Sequence, residues 1–276
     1  MSSHVRPADR LGQVVSALYL AACYVFIFLP VATLVLFSFH DGSVPVPPFE
    51  GPTLRWYERV LTDGRLMEAL WHSVGVALVS ALISTVLGFL AAYGLGRHRV
   101  PGTPAIRWLL IAPLTVSYLI VGMGLLITFN SLGLGRSLWH VVIGHVVINL
   151  PLAFAIVTSQ LGDHQARLER AARDLGAGEF RVVTLVTIPL IWPALFAAVA
   201  LCFTLSWDEF IIAYLLTRFD VTLPVVIWNM LRSGLDPQTN AAGTLVFFVS
   251  IALVLCFIIA ALGRRRRGRT AATTED

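Results

Sequence analysis

The residues best placed to do chemistry are two adjacent acids inside an apolar block long enough to cross a membrane. Asp208 and Glu209 directly follow Ser206 and Trp207. A charge in hydrocarbon costs at least about 2.5 kcal/mol and usually faces an interior path. We therefore expect these four residues to border a pathway for a polyvalent cation, past the midplane toward the outer face. The alternative is that the acids reach the membrane edge and pair with Arg218.

A second candidate chemistry is that of a membrane-embedded serine protease, because His140, His145 and Asn149 lie on one apolar block. A serine nucleophile needs a base and oxyanion donors within hydrogen-bond reach. The Gly-x-Ser-Gly element that would supply the serine does not occur in the sequence. We expect instead that His145 and Asn149, spaced i,i+4, pair across helices as polar groups in membranes do.

A short amphipathic stripe stands out in the charged stretch at residues 162–190. Leu168, Ala171, Ala172 and Leu175 recur at helical spacing, which predicts one apolar face. Gly176 follows where a left-handed helix stop is expected. The two alanines leave this face shallow, so another surface could approach it closely. The alternative is that the helix packs on its own bundle or lies in the lipid headgroups.

Charged residues occupy the rest of the same predicted helix. Glu169 and Arg173 have the i,i+4 spacing of a favourable ion pair. Arg167, Arg170 and Asp174 fall on another face. We expect this face to be solvated.

The composition indicates that membrane-spanning segments carry the candidate residues. Of 276 residues, 57% are hydrophobic and 13% are charged, against about 45–50% and 25% in globular chains. This excludes a soluble domain, a disordered chain and, despite a pI of 9.3, a nucleic-acid binder. Transmembrane β-strands alternate over roughly ten residues, whereas a helix needs about 20 apolar residues to cross. Six blocks meet that length: Val14–Phe39, Leu70–Leu95, Trp108–Phe129, Leu138–Leu161, Ile191–Leu216 and Thr244–Leu262.

The arginines predict the orientation of these spans. The chain has no lysine, and 14 of its 20 basic residues fall on one side if both termini are cytoplasmic. The positive-inside rule therefore places both termini in the cytoplasm. The Arg264–Arg267 run is then an anchor at anionic headgroups. The first span is expected to remain uncleaved, because its apolar block is too long for a signal peptide.

Aromatic residues mark the outer connections. A surface helix is expected over Leu54–Met67, carrying Trp56 and Tyr57. These two side chains and Trp228 could bind a cation through their rings. Alternatively, they anchor the chain at the membrane interface.

The amphipathic stretch resembles a known signature. The run Leu168–Ala177, followed by Val186–Pro189, resembles the EAA motif of binding-protein-dependent ABC importer permeases. The resemblance implies a coupling helix that docks into a separate ATP-binding subunit. The coupling residues would be Leu168, Glu169, Ala171, Ala172, Leu175 and Gly176. Arg170 stands where the motif usually has its glutamate, which leaves the usual salt bridge of that position unassigned.

Further matches extend the resemblance over most of the chain. They are Phe37–Phe39, Leu54–Tyr57, Ala91–Leu95, Ser206–Phe210 and Thr222–Pro224. They are similar to the spermidine/putrescine (PotC-like) type of these permeases.

The resemblance implies a fold, a location and a set of partners. It implies a single all-α domain with six transmembrane helices and a MetI-like fold in a bacterial inner membrane. The expected partners are an ATP-binding subunit dimer, a second homologous permease subunit and an extracytoplasmic substrate-binding protein. The chain itself would carry no catalytic residue, metal or cofactor, and ATP would be hydrolysed by its partners. The alternative is a secondary transporter or channel for a small cation, which would use the same acids without an ATPase.

Overall fold

Helices make up nearly all of the computed structural model, which describes residues 7–234 and 236–272, with side chains for 12–234 and 236–260. The arginines of the predicted 264–267 anchor lie outside the described side chains. The α-helices are α1 (Pro7–Ser38), α2 (Arg55–Thr62), α3 (Gly64–Arg97), α4 (Thr103–Ile111), α5 (Tyr118–Ser131), α6 (Leu138–Gln160), α7 (Asp163–Asp174), α8 (Glu179–Val182), α9 (Ile188–Trp207), α10 (Ile211–Leu216), α11 (Leu223–Ser233) and α12 (Pro237–Ala272).

Four of the six predicted spans are single continuous helices. They are α1, α3, α6 and α12, and each covers its predicted apolar block or all but its last residue. With the helix that ends at Trp207, five described helices are long and apolar enough to cross a membrane. A bent pair of helices supplies the sixth candidate. The all-helical membrane fold is therefore confirmed.

The third predicted span, Trp108–Phe129, is broken rather than continuous. The segment Thr103–Thr115, whose last turn is a 3₁₀-helix, meets α5 at 105°. Val116 is extended, with φ −98° and ψ 137°. Ser117 is also extended and caps α5 by accepting a hydrogen bond from the Leu119 N–H at 3.3 Å. The hydroxyl cap starts a new helix, which is why one uninterrupted span was the wrong expectation.

The fifth predicted span, Ile191–Leu216, is also interrupted. Helix α9 ends at Trp207, and α10 begins at Ile211. Between them the Glu209 carboxylate accepts hydrogen bonds from the backbone N–H groups of Ile212 and Ala213, at 3.0 and 3.2 Å. A carboxylate at this place satisfies the first donors of a helix, so a second helix begins here. The expected continuous span was wrong.

Close packing of α3 on α6 forms the core of the larger compact unit, residues 64–228 and 249–276. A Cβ atom at Gly88 would lie 2.8 Å from the backbone nitrogen of Phe154 and 2.9 Å from the Ala153 Cβ. A Cβ atom at Gly144 of α6 would lie 2.5 Å from the Ile212 side chain of α10. Small residues let helix backbones approach where lipid offers no hydrophobic driving force.

The smaller unit, residues 1–63 and 229–248, contains α1, the outer segment and α2. The Trp56 indole N–H donates to the His40 carbonyl at 2.7 Å. The Tyr57 hydroxyl lies 2.5 Å from that of Ser38. The predicted helix over residues 54–67 is shorter than expected, because it ends at Thr62 and residues 64–67 already belong to α3.

Gly88→Ala should destabilise the protein, because the added methyl would meet the α6 backbone, which cannot move aside. We expect a loss of about 1–3 kcal/mol, as for other overpacked sites. It would be measured as a lower unfolding temperature of the detergent-purified chain. Gly94→Ala is the matched control, because a Cβ there has no neighbour within 4 Å. Equal unfolding temperatures for the two variants would contradict this account of the α3–α6 contact.

Candidate functional site

The predicted amphipathic stripe is present on α7 and forms one wall of an open cleft. The cleft has a volume of about 570 Å³ and is lined only by apolar and small residues. Its lining consists of Leu168, Ala171, Ala172, Leu175, Leu185, Val186, Pro189 and Leu190. Leu175 is 89% exposed and Leu185 is 71% exposed. Such exposed apolar side chains in a charged stretch of the chain mark a candidate interaction surface.

The end of α7 has the expected geometry. Gly176 has φ +84°, a conformation that side-chain-bearing residues rarely adopt. The Ala177 N–H returns to the Ala172 carbonyl at 3.0 Å, and the Gly176 N–H donates to the Arg173 carbonyl at 2.9 Å. These bonds close the last turn. The stripe therefore ends at a fixed corner.

Glu169 lies on the opposite side of α7, fully buried against the helix bundle. The Arg97 Nε donates to Glu169 Oε2 at 2.6 Å, and the Thr187 hydroxyl donates to Oε1 at 3.0 Å. Arg97 also donates to the Leu161 carbonyl at 3.3 Å. The predicted Glu169–Arg173 pair was wrong, because the end of α3 offers a forked guanidinium inside the protein. Glu169 thus fixes the helix rather than facing a partner.

Arg173 has a different partner. Its guanidinium donates to both oxygens of Glu179, at 3.0 and 3.1 Å, and to the Tyr93 hydroxyl at 3.2 Å. The hydrogen bond to Glu179 raises the pKa of Arg173 above its already high usual value, so the pair is charged at every physiological pH. Tyr93 donates to Glu179 at 2.5 Å and lies one turn before Arg97. The C-terminal end of α3 therefore holds both Glu169 and Glu179 of the α7 region.

A second polar cluster is buried between α3, α6 and α9. The Ser206 hydroxyl lies 2.5 Å from His145 Nδ1 and 2.9 Å from the Ser80 hydroxyl. His145 Nε2 lies 3.2 Å from Glu209 Oε2. All four residues are at most 6% exposed. The cluster is satisfied when Nε2 donates to the carboxylate and Nδ1 accepts from Ser206.

The predicted pairing of His145 and Asn149 across helices is confirmed. One turn from His145, Asn149 Nδ2 donates to the Cys202 carbonyl at 3.2 Å. Although Ser206, His145 and Glu209 have the order of a hydrolase triad, Ser206 is only 4% exposed. Its hydroxyl is therefore out of reach of a peptide carbonyl in this structure. Burial here indicates a structural network rather than a nucleophile.

The four expected pathway residues do not share one surface. Asp208 is exposed and forms no side-chain hydrogen bond or ion pair with the described residues. Trp207 is 3% exposed and donates from Nε1 to the Ser250 hydroxyl at 2.9 Å. Ser206 and Glu209 face inward. Only Asp208 is free to meet a solute.

Sequence reasoning missed Arg97 and Ser80, which complete the two buried clusters. Arg97 follows closely on a long apolar block, and its charge was used only to predict the orientation of the spans. Ser80 has no such signal, because serine is common in membrane helices.

The aromatic side chains of the outer segment already have partners. The guanidinium carbons of Arg55 and Arg59 lie 4.6 and 4.8 Å from the Trp56 ring centroid. Trp56 is 5% exposed. Trp228 packs on Phe210 with ring centroids 5.3 Å apart. Of the predicted cation-binding rings, Trp56 is thus occupied by the protein's own arginines.

Comparison with known proteins gives matches over most of the chain. The family model for the binding-protein-dependent transport system inner membrane component matches residues 84–268. The spermidine/putrescine transport system permease protein PotC of Escherichia coli K12 is 29% identical over 247 residues, which are 89% of this chain and 93% of that protein. The putrescine transport system permease protein PotI of the same strain is 31% identical over 231 residues, 81% of this chain and 82% of its own.

Solved structures show the same fold. A chain of a bacterial ABC transporter that imports the acidic polysaccharide alginate superposes with a TM-score of 0.67 at 21% identity. The match covers 96% of this chain and 99% of that one. A second alginate transporter structure, in complex with an alginate-bound periplasmic protein, gives a TM-score of 0.69 at 17% identity over 90% and 93% of the two chains.

Removing one member of the buried Arg97–Glu169 pair should destabilise the protein strongly. Arg97→Gln leaves the Glu169 carboxylate buried without its cation, which costs about 3–5 kcal/mol at such sites. Arg173→Gln breaks the partly exposed pair with Glu179 and should cost about 1 kcal/mol or less. Unfolding temperatures of the two purified variants test this difference. A shift of the same size in both would mean that burial does not distinguish the two pairs.

Proposed function

The chain belongs to the family of binding-protein-dependent transport system inner membrane components, and from that premise we propose that it conducts polyamines through a pathway gated by a separate ATPase. It is a multi-pass inner membrane permease of an ABC importer and not an enzyme. The observation that carries the proposal is the exposed apolar stripe of α7, held by two charge clusters and facing away from its own bundle.

The stripe fits the role of the docking surface for an ATP-binding subunit. Leu168, Ala171, Ala172 and Leu175 line the open cleft, and Leu175 projects from its end. A shallow face flanked by exposed leucines suits insertion into a groove of a partner. The importer would have two ATP-binding subunits that hydrolyse ATP, and this chain would bind no cofactor of its own.

The remaining partners follow from the same proposal. A second, homologous permease subunit would complete the pathway, and an extracytoplasmic substrate-binding protein would deliver the cargo. The arginine distribution supports cytoplasmic termini and a cytoplasmic α7, because 14 of the 20 arginines then lie inside.

The proposed cargo is a polyamine such as spermidine or putrescine. Two relatives that match most of the chain carry these substrates in their names. In this chain, Asp208 is an exposed carboxylate in a membrane span, which suits an ammonium cation. Glu209 and Ser206 would position the span break, since both are buried and bonded to His145. Trp207 would position α9 through its bond to Ser250.

Transport would proceed by alternating access. Closure of the ATP-binding subunits would move α7, and the clusters around Glu169 and Glu179 would pass that movement to the end of α3. The bond between Ser80 of α3 and Ser206 of α9 then links the same helix to the span that carries Asp208. ATP hydrolysis would take place in the ATP-binding subunits, and this chain would convert the movement of those subunits into opening of the pathway.

Ala172→Arg should prevent assembly with the ATP-binding subunit, because it places a long charged side chain in the apolar cleft. We expect copurification with that subunit to fall by at least about tenfold, equivalent to about 1.4 kcal/mol. Asp174→Arg also introduces an arginine on α7 but on the solvated face, so copurification should persist. Retention of the ATPase by the first variant would remove the proposed docking surface. ATP-independent uptake driven by an ion gradient would contradict the importer mechanism itself.

Asp208→Asn should lower polyamine uptake without changing stability, because it removes only an exposed charge that meets the cargo. A hydrogen bond to a charged group contributes about 1.5–3 kcal/mol, so the loss should be about ten- to hundredfold. Glu209→Gln should instead lower the unfolding temperature, because the α10 cap and the His145 partner are weakened. Asp220→Asn, an exposed acid in the outer connection, is the control. Normal uptake by the Asp208 variant would exclude Asp208 from the pathway.

A further inference from the structure

The break in the third span leaves backbone groups without partners. The carbonyl groups of Leu114, Thr115 and Val116 accept no hydrogen bond from the described residues. These three residues and the next four are all exposed. Because α5 turns away at 105°, the break cannot be closed by small adjustment of a continuous helix.

The depth of this break can be read from contacts with α6, whose middle residue is Asn149. Leu125 of α5 lies 3.4 Å from the Cβ position of Gly144. Gly144 is about 7.5 Å outward of the middle of α6 at 1.5 Å per residue. Val116 precedes Leu125 by about 13 Å on the same scale. The break therefore lies about 6 Å to the cytoplasmic side of the middle, well inside a hydrocarbon core of about 30 Å.

Lipid cannot satisfy backbone groups at that depth. Each unpaired group costs several kcal/mol in hydrocarbon, and irregular backbone occurs there only when it is covered by protein or lines a water-filled cavity. The segment at residues 112–118 therefore does not face lipid.

The interruption of the fifth span lies on the other side of the middle. Glu209 bonds to His145, which is about 6 Å outward of Asn149. Helices α5 and α10, which follow the two breaks, pack together where the Cβ position of Gly122 meets Leu215 at 2.8 Å. Two broken, neighbouring helices near the midplane are the typical setting of a transporter substrate site.

The two breaks offer oxygen acceptors at different depths. Asp208 supplies an exposed carboxylate at the outer break, and the inner break supplies three carbonyl groups at the C-terminal end of a helical segment, where the helix dipole is negative. These groups are about 12 Å apart in depth on the helix scale. An elongated cation with separated ammonium groups fits this arrangement better than a single metal ion does.

We propose that the segment Ala112–Tyr118 lines the translocation pathway and that its free carbonyl groups bind one ammonium group of an elongated polycation while Asp208 binds another. This inference rests on the proposed function for the nature of the cargo. The exclusion of the segment from lipid does not depend on that proposal, because it follows from the unpaired backbone alone.

Cysteine labelling of the assembled transporter tests the proposal. Thr115→Cys and Val116→Cys would be made singly after replacing Cys23, Cys202 and Cys256 by alanine. Each would then be treated, from both membrane faces, with a cationic, membrane-impermeant methanethiosulfonate. We expect both positions to be labelled and saturating spermidine to slow labelling by at least about fivefold. Ile127→Cys is the control, because it is 62% exposed on α5, the regular helix that follows the break, and should stay unlabelled.

The outcomes separate this inference from the proposed function. If neither position reacts while spermidine uptake is normal, the segment is buried against another subunit and the inference is wrong. Labelling without protection, again with normal uptake, overturns the carbonyl site and leaves the polyamine importer intact. Absence of spermidine uptake in the unmodified transporter overturns the proposed cargo and the inference with it.

Discussion

The need to satisfy backbone hydrogen bonds inside hydrocarbon is the constraint on which this structure depends. Continuous helices such as α3 and α6 meet it internally. The two broken spans meet it differently. In the fifth span, the Glu209 carboxylate accepts hydrogen bonds from the first N–H groups of α10, and His145 Nε2 lies 3.2 Å from the same carboxylate. In the third span no side chain among the described residues serves the free carbonyl groups of the break. One interruption is thus satisfied by a carboxylate side chain, and the other keeps unpaired carbonyl groups.

Pairing of buried polar groups also organises the region around α7. Arg97 and Tyr93, one turn apart on α3, hold the two glutamates that flank the α7 stripe. Glu169 is fully buried and Glu179 is half exposed, so the first ion pair is shielded from water and the second is not. The apolar stripe is left facing outward because its polar neighbours are all turned to the bundle or to solvent. Polar contacts therefore decide the orientation of an apolar surface.

Features with a local cause could be predicted from the sequence. The lengths of four spans, the helical spacing of the α7 stripe and the stop at Gly176 each depend on residues within a few turns, and all are present. The break at Val116 could not be predicted from hydrophobicity, because the block around it stays apolar. At the second break Asp208 and Glu209 interrupt the apolar block, but only the structure shows that Glu209 caps a new helix. The ion-pair partner of Glu169 also could not be predicted from the sequence. Glu169 has Arg173 at helical spacing, yet it pairs with Arg97, 72 residues away, and only the tertiary packing decides between them.

The contact at Gly88 has a mechanical consequence. Backbone lies directly on backbone there, with no side chain between α3 and α6 to bend or change rotamer. Sliding either helix along the other would drive Ala153 or Phe154 into the opposite main chain. Sliding of the two helices along each other is therefore opposed at this contact. Any movement between helices of the larger unit would have to occur at less closely packed places, such as the corner after Pro113.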